Sequence, residues 1–133
     1  MATLRVSVVS PEREVYTGEA DMVVARGREG EVGILPGHAP MLVELAIAPV
    51  RLVEGDRDRQ KILVDGGFLH VTPGEEETRV DILAEHAILA EEADAAEARA
   101  RAQELERRLE EREDEEMAVE LAKAVMRAEH GGR

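Results

Sequence analysis

The chain has 133 residues, a formal net charge of −13 and no cysteine, with one tyrosine, one phenylalanine and no tryptophan. That charge balance excludes direct nucleic-acid binding, which draws its affinity from clustered Lys and Arg, and the missing thiol excludes disulfides, thiolate metal ligands and thiol catalysis. A core has to be built from Val, Leu, Ile, Met and Ala, without the area that aromatic rings usually add.

Strand-like alternation opens at Leu4-Arg5-Val6-Ser7-Val8 with no charged-then-apolar leader ahead of it, so the expectation is a protein that works where it is made. A run over 20–26 and a glycine-punctuated bend over 27–33 follow, then Ile34-Leu35, the loop Pro36-Gly37-His38-Ala39-Pro40 and a run over 41–45. Runs over 50–54 and 61–65 flank Gly55-Asp56-Arg57-Asp58-Arg59, a hairpin signal. Gly66-Gly67 is expected to turn the chain into a run over 68–71, and Pro73-Gly74 into one over 79–83. Short alternating runs at this density predict a β-sandwich or barrel. The richest apolar stretch, 41–50, is broken by Glu44 and Pro49 and falls short of the roughly 18 residues a membrane span needs, so no direct membrane insertion is expected.

All five prolines lie at or before Pro73, and every glycine except Gly131 and Gly132 lies at or before Gly74. The expected division is a β-domain over 1–84 and a helical part over 85–133. Residues 91–129 are mostly Ala, Glu, Leu, Arg and Met, strong helix formers. Ala95, Ala98, Ala102, Leu105 and Leu109 make one apolar stripe, and Ala118, Leu121, Ala122 and Val125 a second. The charge run 110–116 between them is where an antiparallel hairpin is expected to turn. It holds no Gly, Pro or Asn, so one continuous helix of roughly 58 Å is the open alternative. Both stripes are narrow and alanine-rich. At about 25 cal/mol per Å², their mutual burial offsets only part of the ordering entropy, and the pair calls for a third surface. A segment with two surfaces of similar value is a candidate switch.

Evidence for chemistry is thin. Gly27, Gly30 and Gly33 lack the Lys and following helix of a phosphate loop and read as turn residues. His38, His70, His86 and His130 show no metal-binding spacing, so no metal site is expected. His38 stands out because Pro36 and Pro40 stiffen its loop, and rigid exposed loops make good docking elements. Thirty carboxylates make any acid–base pairing uninformative, and no nucleophile elbow is present. Neither a catalytic residue nor a cofactor is expected.

Two strings carry a specific resemblance. Gly30-Glu31-Val32-Gly33-Ile34-Leu35-Pro36-Gly37-His38-Ala39-Pro40 and Asp65-Gly66-Gly67-Phe68-Leu69-His70-Val71, with Val8-Val9-Ser10-Pro11-Glu12 and Glu120-Leu121-Ala122-Lys123-Ala124, closely resemble the epsilon subunit of F-type ATP synthases over nearly the whole chain. The resemblance implies an α+β protein with an N-terminal sandwich of about ten strands and a C-terminal antiparallel helical hairpin. It implies residence in the central stalk of the rotary enzyme, at the cytoplasmic face of the bacterial cell membrane. Glu31 and Val32 would face the polar loops of the membrane c-ring, and His38, Ala39, Pro40, Met41 and Leu42 would pack on the gamma subunit.

The same resemblance implies a brake on ATP hydrolysis, in which the helices extend into the alpha/beta catalytic head. From Glu85 onward the chain carries 15 acidic against 8 basic residues, which weakens extension toward an acidic surface within a screening length of about 8 Å. Some members bind ATP through Ile-Asp-x-x-Arg-Ala. The ungapped match is Ala93-Asp94-Ala95-Ala96-Glu97-Ala98, where Asp94 fits and Glu97 replaces the arginine, so no nucleotide site is expected. Arg99 lies roughly 140° around the helix from Asp94 and cannot substitute. The reading independent of the resemblance is a free-standing adaptor whose helices pair with a separate partner. An enzyme has little support.

Overall fold

The structure is a computed structural model and describes residues 3–132, so the ends of the two expected ranges, residues 1, 2 and 133, lie outside it. The chain divides into two compact units, 1–89 and 90–133, whereas the composition placed the break after residue 84. The later boundary follows from a short last strand, Ala87–Leu89, that still belongs to the first unit.

The first unit consists of β1 (Leu4–Val9), β2 (Glu14–Ala20), β3 (Met22–Gly27), β4 (Gly30–Ile34), β5 (Met41–Glu54), β6 (Arg57–Thr72), β7 (Thr78–Ala84) and β8 (Ala87–Leu89). The strand order is β2-β1-β7-β6-β5-β3-β4, with β8 on β6. β1 and β7 run parallel; the other pairs are antiparallel. The expected sandwich is present, built from eight described strands because two of them are long.

Those two strands serve both layers. The first half of β6 pairs with β8 through Ile62–Leu89 to Val64–Ala87, and its second half pairs with β7 through Gly67–Ala84 to Thr72–Arg79. Between the halves stand Gly66 at φ +92° and Gly67 at φ +128°. A Cβ on Gly67 would sit 2.1 Å from the Leu83 carbonyl oxygen, so only glycine lets the strands come this close. Gly66-Gly67 was expected to end a strand; it instead bends one continuous strand around a corner. The same happens in β5, where the separate runs 41–45 and 50–54 form one strand through Pro49. β3 steps from Val24↔Arg51 to Gly27↔Leu45 there, leaving Pro49 in the irregular stretch where a ladder N–H is not required.

Period-2 burial builds the core. Leu4, Val6 and Val8 of β1, Leu69 and Val71 of β6, Val80 and Ile82 of β7, and Val50 and Leu52 of β5 are all essentially inaccessible and belong to one cluster. Its buried members are all aliphatic, with Tyr16 and Met41 packed against them at the margin.

The second unit is a helical hairpin. A 3₁₀ turn (Ala90–Glu92) leads into α1 (Ala95–Glu111) and α2 (Glu115–His130). Asp94 caps α1, its carboxylate accepting from the Glu97 N–H at 3.0 Å, and Asp114 caps α2 by accepting from the Met117 N–H at 3.1 Å. The hairpin turns within the charge run 110–116, as expected, with extended backbone at Arg112 and Asp114 breaking the helix. Ala102, Leu105 and Ala124 form the buried centre, flanked by Met117, Leu121 and Val125. Ala118 and Ala122, assigned to the second stripe from spacing, are exposed; the inward face runs through Met117, Leu121 and Ala124. The C-terminal end folds back on the start of the unit, where the Gly132 N–H donates to the Ala90 carbonyl at 2.7 Å.

Candidate docking site

The loop over 35–40 is a tight turn with a tether. Leu35, Pro36, Gly37 and His38 close a β-turn through His38 N–H to the Leu35 carbonyl at 3.1 Å. Proline at the second position and Gly37 at φ +86° at the third are what a type II turn requires. The Gly37 N–H donates to Thr78 Oγ1 at 2.7 Å, and Thr78 is buried. His38 Nδ1 lies 2.8 Å from the Ala39 carbonyl oxygen. A carbonyl only accepts, so Nδ1 is the donor of this contact. His38 is half-buried, while Ala39 and Pro40 are exposed.

The chain then enters β5, where alternation divides the side chains. Met41 and Val43 pack against the core and Leu42 faces solvent, 68% exposed. Leu42 stands opposite His70; in the neighbouring register Phe68 lies opposite Leu83, and Leu83 opposite Val9. These side chains share the outer face of the sheet. Phe68 is 49% and Leu83 62% exposed, and with Leu42 and Val9 they line a depression of about 470 Å³ that also takes in His70 and Asp81. Several large apolar side chains gathered on a water-facing sheet make a patch of the kind that interaction surfaces use. Asp81 is held in turn by Arg79 at 3.3 Å, which gives the patch a polar border.

A second depression of about 490 Å³ lies beside the first, and Leu42 borders both. Its walls are the β3–β4 turn, Val32, and residues 41–44 of β5. Arg28 shapes it twice, its N–H donating to the Glu44 carbonyl at 3.1 Å and its guanidinium pairing with the Glu44 carboxylate at 3.3 Å. Val32 is half-buried in this wall, and Glu31 is exposed on β4, opposite Arg26.

The structure therefore brings Val32, Met41 and Leu42 together around one depression, with Glu31 adjacent on β4. His38, Ala39 and Pro40 project from the tethered turn and line neither hollow. Sequence reasoning missed Phe68, Leu83 and Thr78. Parity could have found the first two: with Leu69, Val71, Val80 and Ile82 inward, Phe68 and Leu83 must point outward. At the helical unit, the Asp94 carboxylate is engaged in capping and Glu97 follows it in the first turn. Among the described residues no group of three or more His, Asp or Glu could hold a metal ion, and no helix is long and apolar enough to cross a membrane.

Comparison with known proteins agrees with this architecture. Residues 3–90 match the family described as ATP synthase, Delta/Epsilon chain, beta-sandwich domain. The chain is 45% identical over 113 residues to the ATP synthase epsilon chain of Brevibacillus brevis, covering 84% of this chain and 82% of that one. It is 47% identical over 123 residues to that of Thermobifida fusca, covering 91% and 86%. It is 42% identical over 132 residues to that of Bordetella avium, covering 97% and 90%. Among solved structures, a chain of the Euglena gracilis mitochondrial ATP synthase shares the fold with a TM-score of 0.75 at 23% identity, covering 98% of this chain and 83% of that one. With a β-sandwich, a helical hairpin and relatives matched over most of both lengths, the chain belongs to the ATP synthase epsilon chain family.

Proposed function

We propose that the protein is a non-catalytic central-stalk subunit that docks the gamma subunit and the c-ring of an F-type ATP synthase and carries a helical brake on ATP hydrolysis. It works at the cytoplasmic face of the bacterial cell membrane, held there through the complex. The observation that carries the docking half is the solvent-facing apolar set Leu42, Phe68 and Leu83 on one sheet face, beside the tethered turn that presents His38. Burying that set against gamma removes apolar area from water, and the rigid loop loses little entropy on binding. Glu31, exposed on β4, is the residue offered to the polar loops of the ring.

The test is affinity of the full chain for gamma. Leu42→Glu or Leu83→Glu places a carboxylate in the contact at a cost on the order of 2 kcal/mol, about thirtyfold in dissociation constant. Both side chains face water in the free protein, so the fold should be kept. Unchanged affinity in both variants would refute this docking face. Failure to co-purify with gamma would instead favour a free-standing adaptor.

A further inference from the structure

We propose that Thr78 is a positioning residue for the docking turn: its hydroxyl holds the Gly37 N–H and so fixes how His38, Ala39 and Pro40 are presented to a partner. The inference rests on the reading of that turn as a partner-binding element.

Thr78 opens β7 and is 2% exposed. Its inward-facing row continues as Val80, Ile82 and Ala84, all buried and apolar. A valine would fill the same volume in that row, so the hydroxyl answers no packing need. It would even be a liability in an apolar layer without a partner. The partner is the Gly37 N–H, 2.7 Å away across 41 positions of sequence.

The strand end that carries the hydroxyl is well fixed. Thr78 pairs with Leu4 across the parallel ladder, and its own N–H donates to the Thr3 carbonyl at 3.3 Å. The turn's internal bond, His38 to Leu35, sets the shape of the turn but not its orientation relative to the sheet. The Gly37–Thr78 bond supplies the orientation. Gly37 is itself exposed, so when the hydroxyl is removed water can satisfy its N–H, and the fold survives while the turn swings free. A partner then has to order the turn on binding.

Two substitutions in the full chain separate positioning from packing. Thr78→Val keeps the volume and removes the acceptor; Thr78→Ser keeps the acceptor and removes the methyl. Amide exchange at Gly37 should accelerate about tenfold in Thr78→Val, and affinity for gamma should fall about threefold to fivefold, the scale of one neutral hydrogen bond. Thr78→Ser should restore both. A role in packing alone predicts the reverse order, because serine leaves a void that valine does not. Wild-type affinity in Thr78→Val, or a serine variant as weak as the valine one, overturns the inference. If Leu42→Glu weakens binding and Thr78→Val does not, positioning fails and the docking face stands; if neither weakens it, the docking face has failed. A Gly37 amide that exchanges without protection in the unmodified chain also overturns the proposal, however the variants fold.

Discussion

Asp94 illustrates how one side chain can be occupied before any ligand arrives. Its carboxylate accepts the Glu97 N–H at 3.0 Å and caps α1. An ATP phosphate placed there would meet the Glu97 carboxylate where the related motif supplies a cation, and the Asp94 oxygens would be drawn away from the helix end they stabilise. The isolated protein is therefore expected to bind ATP no more tightly than millimolar in calorimetry, and a micromolar dissociation constant would contradict this. This departure was legible in the sequence, since it depends on residue identity at one helical spacing. Thr78 was not legible: a threonine opening an alternating strand carries no signal of a bond to Gly37, because the two meet only once the sheet has formed.

Among the elements, α2 owes its separate existence to Asp114. The run 110–116 has high helix propensity and lacks the usual breakers, which is why a continuous helix stays open in the sequence as the alternative to the expected hairpin. In the structure the Asp114 carboxylate takes the Met117 N–H, and the Arg112 guanidinium lies 3.5 Å from it. Asp114→Ala removes a cap worth about 1 kcal/mol and puts the strongest helix former in the turn. The expected outcome is a measurable fraction of continuous helix. Spin labels at positions 99 and 129 would then report a population near 45 Å, the 1.5 Å rise over the intervening residues; a single short distance would contradict it. The strands show a complementary limit. Alternation located the buried faces of β1, β6 and β7, but it could not tell that Gly66-Gly67 bends a strand instead of ending it, because turn and corner use the same residue for the same reason, a positive φ. The docking patch depended on that distinction: Phe68 and Leu83 lie opposite one another only because β6 continues past the corner to pair with β7.

For the whole molecule, the boundary between the two units sets where a cut can separate the proposed docking part from the proposed brake. β8 pairs with β6, and Ala87 is 1% exposed within the sandwich core, so a truncation beginning at residue 86 removes part of the β-unit along with the helices. Any loss of binding in that variant would be ambiguous. A deletion of 90–133 follows the observed boundary and leaves β8 in place. The segment it removes carries 14 acidic and 8 basic residues, a charge that on the proposed reading would oppose extension toward an acidic catalytic surface. On the proposed reading, and with folded and extended arrangements taken as equal in free energy, the hairpin would brake about half of the assembled enzymes at any moment. Removing it should then raise ATP hydrolysis by the complex about twofold while leaving gamma binding unchanged, because Leu42, Phe68, Leu83 and Thr78 all stay in the retained unit. High salt should screen the charge repulsion that opposes extension and so deepen the inhibition of the intact enzyme, widening its difference from the deletion variant. If the deletion leaves hydrolysis unaltered at both low and high salt, the helices are not a brake, and the hairpin needs another role.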